Sequence, residues 1–66
     1  MLDAIEYELP EPSQLTVDGT TFDYIKRFYF VEDGSLHIQA DNYLVLKLEK
    51  GKWHEVVIPP NARMVI

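Results

Sequence analysis

His37 and His54 are the only imidazoles in the chain, and Ser13 and Ser35 its only serines. Acid–base, nucleophilic or metal chemistry therefore has few places to start. A metal centre needs three or four ligands at one point, which usually shows as paired histidines one helical turn apart with a carboxylate nearby. These two histidines stand far apart, at positions 37 and 54, on segments of opposite predicted facing, and they read as surface or partly packed side chains. Neither serine lies in a Gly-x-Ser-x-Gly elbow, and both flank turns. Glu6 with Glu8, and Glu32 with Asp33, read as solvated strand and turn charges. Gly19, Gly34 and Gly51 stand singly and form no loop that would cradle a phosphate. The chain has no cysteine, which excludes disulfides and thiolate metal sites. The expectation is a protein that is not an enzyme and carries no cofactor.

Charge narrows the partners. Residues 1–25 hold Asp3, Glu6, Glu8, Glu11, Asp18 and Asp23 with no Lys or Arg, a local charge of −6. From Lys26 onward six basic residues face Glu32, Asp33, Asp41, Glu49 and Glu55, a local +1, and the sum is −5. Nucleic-acid binders show the opposite balance, because phosphates are neutralised by clustered Lys and Arg. Direct nucleic-acid binding is not expected. The acidic end keeps a small protein in solution, meets a basic partner surface or mimics a phosphate backbone, and the first reading is favoured.

Length adds a constraint. Sixty-six residues make one domain, and a chain this short buries only about 60% of the surface it exposes when unfolded. Without disulfides or a metal, stability must come from a well-packed sheet, a partner or self-association. The N-terminus lacks the basic start and apolar run of an export signal. No stretch approaches the roughly 20 apolar residues of a membrane span. A cytoplasmic protein with no membrane role is the resulting expectation.

The hydrophobic period is two, the period of strands. Ile5-Glu6-Tyr7-Glu8-Leu9 alternates apolar and charged side chains, so residues 3–9 read as a strand that Pro10 and Pro12 end. Asp18-Gly19, between Gln14–Val17 and Thr20–Phe22, is the strongest hairpin signal. The run from Asp23 to Val31 has uncertain parity, and a bend or bulge near Lys26-Arg27 would carry it into the next hairpin. The remainder reads as a meander, with strands at 35–40, 43–49 and 52–58 and a closing strand at 63–66. The predicted fold class is all-β, a small antiparallel barrel or strongly bent meander sheet of five to seven short strands.

Parity assigns faces. The predicted core is Leu15, Val17, Phe28, Phe30, Leu36, Ile38, Ala40, Leu44, Leu46, Leu48, Val56 and Ile58. The opposite face mixes aromatic, charged and polar side chains, unlike a purely solvated surface. Its candidate binding residues are Tyr29, His37, Tyr43, Lys47, Trp53 and Glu55. Tyrosine and tryptophan supply large contact area at low entropic cost and dominate binding hot spots.

Ile58-Pro59-Pro60-Asn61-Ala62-Arg63-Met64-Val65 resembles the close of SH3 domains, where an aliphatic residue and Pro-x-Asn lead through a tight turn into a last aliphatic strand. The chain lacks the Ala-Leu-Tyr-Asp-Tyr opening and the tandem tryptophans of that family. The resemblance implies a small SH3-like barrel and nothing about proline-rich ligands.

These features favour a binding module acting on a partner protein, with a homodimer as the favoured oligomer. Inhibitors and accessory proteins of phages or mobile elements are common among short acidic proteins of this kind. A small-ligand protein, holding a nucleotide-like or anionic compound where protomers meet, is the second expectation. A structural subunit that pairs through its edge strands is the third.

Overall fold

The computed structural model describes residues 3–42 and 45–65. Asp18 and Gly19 take φ of 49° and 80°, both positive as a type I′ turn requires. They join β1 (Ala4–Val17) to β2 (Thr20–Val31). The two strands pair antiparallel from Val17↔Thr20 at the turn to Ala4↔Val31 at the far end. The expected end of β1 at the prolines is corrected in part, because extended chain continues through Pro10 and Pro12. Register with β2 is nevertheless interrupted between Glu8 and Ser13. Proline lacks the ladder donor, so it is tolerated where pairing is already broken.

β2 carries two irregularities. Against β1, Asp23 and Tyr24 both fall where β1 offers only Gln14, and the Gln14 side-chain amide donates to Asp23 Oδ1 at 2.9 Å. Against β3 (Leu36–Ala40), the register shifts between Ile25 and Arg27, beside the Lys26-Arg27 bend expected from the sequence. Each bulge resets parity, so Phe22, Ile25, Phe28 and Phe30 all reach the core side. Tyr24 absorbs part of the distortion with a φ of 60°, a left-handed value that costs a non-glycine residue about 1–2 kcal/mol.

The β2–β3 turn, Glu32-Asp33-Gly34, closes with Gly34 N–H donating to the Val31 carbonyl and Val31 N–H donating to the Ser35 carbonyl, each at 2.9 Å. Gly34 has a φ of 91°, and a Cβ there would stand 2.9 Å from the Lys50 side chain. β4 (Val45–Leu48) pairs with β3, β5 (Val56–Val57) with β1 beside Thr16 and Val17, and β6 (Arg63–Val65) with β1 beside Glu6 to Glu8. The sheet order is β4-β3-β2-β1-β5, with β6 also on β1, in a curled antiparallel half-barrel. The expected meander is corrected at one step, since β5 lies across the molecule on β1 and not beside β4. Only Val56-Val57 of the predicted 52–58 strand pairs, because the chain before it crosses over the core.

The buried core is Leu9, Leu15, Val17, Ile25, Phe28, Leu36 and Ile38. Phe30, Ala40, Leu48 and Val56 pack half-buried against it. Leu9 and Ile25 were missed because they sit at the irregularities that break simple alternation. Leu46 and Ile58 are corrections, at 41% and 42% exposed, since the half-barrel stops before covering them. Leu44 lies outside the described residues.

Tyr24→Gly should leave the fold intact and raise or preserve its stability in urea denaturation, because the left-handed backbone costs glycine nothing. Gly34→Ala should lower stability by about 1–2 kcal/mol in the same experiment.

Candidate binding surface

The outer face of the sheet is two cross-strand rows. One runs Val65, Glu6, Tyr29, His37 and Lys47, and the next runs Arg63, Glu8, Arg27, Gln39 and Val45. Sheet pairing therefore brings Tyr29, His37 and Lys47 together, as their shared facing implies. Their neighbours partner one another. Arg27 sits 3.6 Å from Glu6, and the neighbouring Tyr29 oxygen, followed by Glu6 and Glu8, holds the guanidinium above its ordinary range. Opposite charges in register stabilise a sheet face without any ligand.

Trp53 and Glu55 are elsewhere. Trp53 lies half-buried on the core side, its ring 5.7 Å from Phe30 and its indole N–H donating to the Gly34 carbonyl at 3.0 Å. It belongs to a chain of rings in which Tyr7 stacks on Phe28 at 5.1 Å and Phe28 meets Phe30 edge-on at 5.8 Å. The predicted facing of Trp53 is thus corrected: residues 49–55 are not a paired strand, so strand parity does not govern them. Glu55 is held through its backbone. Its N–H donates to Asp18 Oδ1 at 2.8 Å, and its carbonyl accepts the Asp18 N–H at 2.9 Å. The His54 N–H also donates to the Asp18 carboxylate, at 3.1 Å. Asp18 thereby fastens the chain entering β5 to the first hairpin, and the Glu55 amide, seconded by His54, lowers its pKa from 3.8. Tyr43 lies outside the described residues.

One polar cluster has the residue types of a catalytic triad but a different order. The Ser35 hydroxyl donates to Asp33 Oδ1 at 2.5 Å and lies 3.3 Å from His37 Nε2. The serine hydroxyl donates to the carboxylate, and His37 Nε2 stands beside it. A general base needs the reverse arrangement, with histidine receiving the serine proton. Ser35 is also only 2% exposed, which shields its hydroxyl from a substrate. Asp33 accepts the Ser35 N–H as well, at 2.9 Å, and these two bonds, the hydroxyl first, hold its pKa below 3.8. The geometry is that of a turn lock. Among the described residues no three His, Asp or Glu side chains gather where a metal ion would sit. No helix there is long and apolar enough to cross a membrane.

The surface that sequence reasoning missed is the open end of the half-barrel. Phe22, Ile25, Ile38, Ala40, Val45 and Leu46 line an apolar cleft of about 380 Å³ there, with Asp23 at its rim. Val45 is 62% exposed. Among the described residues β4 pairs only with β3, so one edge of it is unmatched. The exposed apolar residues of β4 were legible as a strand, but their exposure depended on where the sheet ended. No protein-family model matches this chain, and no curated protein or solved structure matches it significantly. The SH3-like ending is local: the Pro59 carbonyl accepts the Ala62 N–H at 3.1 Å, and β6 then joins β1.

Trp53→Ala should lower stability by about 3 kcal/mol in denaturant titrations, as expected for loss of a ring packed on the core. Acid should destabilise the fold through Asp18 and Asp33. Their folded pKa values lie below the unfolded 3.8, so their contribution is present above that pH and is lost as pH falls through the folded values. Asp18→Asn and Asp33→Asn should each flatten the fall in melting temperature below about pH 4, measured by circular dichroism.

Proposed function

We propose that this domain is a non-enzymatic protein-binding module acting through the open end of its half-barrel. The observation supporting this is the apolar cleft between Phe22 and Leu46, which is continuous with the core and bordered by the unmatched edge of β4. A contiguous apolar surface of this kind marks an interaction site in a small protein. An unmatched strand edge accepts an incoming strand through backbone hydrogen bonds, with side-chain pockets supplying selectivity. Lys47 stands on the outer side of β4 and discourages indiscriminate pairing, while the inner side offers Leu46.

A second copy of the chain suits this edge. Antiparallel pairing of β4 with its own copy about Leu46 would set leucine against leucine on the inner side. It would place Lys47 opposite Val45 on the outer side, so no like charges would face one another. A homodimer built this way would add the apolar contact that a chain of this length otherwise lacks.

Light scattering across a wide dilution series tests the reading. The wild-type mass should exceed that of a monomer at high concentration, and Leu46→Glu should be monomeric with an unchanged circular dichroism spectrum. Association unaffected by Leu46→Glu would sink the assignment of this edge. A wild-type monomer throughout would remove the second copy as the occupant. A metabolite-induced thermal shift that Leu46→Glu abolishes would replace the protein-binding reading with a small-ligand site.

A further inference from the structure

We propose that the second copy seated on the edge of β4 is selected by charge, the Asp41-Asn42 turn of each copy meeting the lysine-bearing turn at 49–52 of the other. This rests on the homodimer reading above and specifies what fixes the direction and identity of the partner strand. β4 lies between two turns of opposite sign. Asp41 stands before its leading end, and Asp23 lines the same depression of about 400 Å³. Past its trailing end the Lys52 N–H donates to the Glu49 carbonyl at 2.9 Å, closing a turn that sets Lys50 and Lys52 against Glu49 alone. Asp41, Lys50 and Lys52 are exposed. Among the described residues none of the three forms an ion pair within its own chain.

The direction of pairing decides which turns meet. Asn42 lies four residues before Leu46, and Lys50 four residues after it. Antiparallel pairing about Leu46 therefore brings the leading turn of one copy level with the trailing turn of the other, and the two-fold axis repeats the contact. Parallel pairing would set Asp41 beside Asp41 and lysine beside lysine, which opposes association. The contact needs no reach across β3, because Asp41 sits at the tip of the β3–β4 hairpin, past the last paired residues of both strands. Beyond Leu48 the chain leaves the sheet and crosses toward Trp53 on the core side. The turn at 49–52 of the other copy thus bends toward the depression that Asp41 shares with Ala40, a residue packed on the core. Lys50 rests its stem against Gly34 of its own chain, which makes Lys52 the cation assigned to Asp41. Exposed ion pairs are individually weak. Leu46 therefore supplies the affinity, while the order of charges along the edge supplies direction and disfavours strands that lack it.

Light scattering over a dilution series, on the wild type and on charge-reversed variants, tests the proposal. Asp41→Lys and Lys52→Glu should each raise the dimer dissociation constant about tenfold, the scale of two exposed junctions per dimer turned repulsive. An equimolar mixture of the two variants should recover the wild-type affinity as a heterodimer, since every junction then joins unlike charges. The double variant Asp41→Lys with Lys52→Glu should recover it as a homodimer. Added salt should narrow the gap between each single variant and the wild type. Circular dichroism verifies that the variants are folded, and recovery in the mixture is itself a result that misfolded chains would not give. Association unmoved by either reversal, or weakened in both without recovery in the mixture, overturns the charge-selected pairing. In that case a dimer still broken by Leu46→Glu keeps the homodimer reading. A wild-type protein that is monomeric throughout overturns both and leaves the edge to a strand of another protein.

Discussion

A strand with a strict two-residue period cannot turn Phe22, Ile25, Phe28 and Phe30 to one side, and the structure depends on how β2 escapes that constraint. It does so by interrupting register twice, at Asp23-Tyr24 against β1 and between Ile25 and Arg27 against β3. Each interruption adds local twist and bend. The β1–β2 ribbon consequently curls over its own inner face and buries Leu9, Leu15 and Phe28 together. The prolines of β1 sit opposite the bend, where the ladder has no bond for them to break. Tyr24 bears the backbone cost at the surface, and the core gains four inward side chains from a single strand.

Curling the ribbon leaves the far side of the core to be covered by chain with little regular pairing. The crossing between β4 and β5 does this with a few directional contacts. Trp53 caps Phe30 and binds the Gly34 carbonyl, the Lys50 stem lies over Gly34, and Asp18 grips the backbone of His54 and Glu55. The last contact is notable for its economy of parts. The residue that makes the type I′ turn also holds the strand that closes the sheet on β1. Turn chemistry and tertiary closure are thus carried by one side chain, whose ionised carboxylate the two amides favour.

The same curl divides the surface into regions of different character. On the outside, cross-strand rows bring glutamate, arginine, tyrosine and histidine side by side, with Arg27 3.6 Å from Glu6. At the open end, apolar side chains meet solvent because β4 has no further neighbour among the described residues. Asp23 lines that opening with them. The two regions thus differ in what their strands offer: the outer rows lie within the paired sheet, and the edge of β4 ends it.

The sequence by itself determined the all-β class, the Asp18-Gly19 hairpin, the turn at Glu32 to Gly34 and the inward facing of Phe28, Leu36 and Ile38. These follow from turn chemistry and two-residue alternation, which act over a few neighbouring positions. It also placed Tyr29, His37 and Lys47 on a common face, since regular strands preserve parity across a ladder. Tertiary structure alone decided that Leu9 and Ile25 are buried, that Trp53 joins the core, and that Leu46 and Ile58 remain exposed. Those outcomes turn on bulges, on a crossing connection and on where a curling sheet stops. All three arise from contacts between residues distant in the chain, and local periodicity carries no record of them.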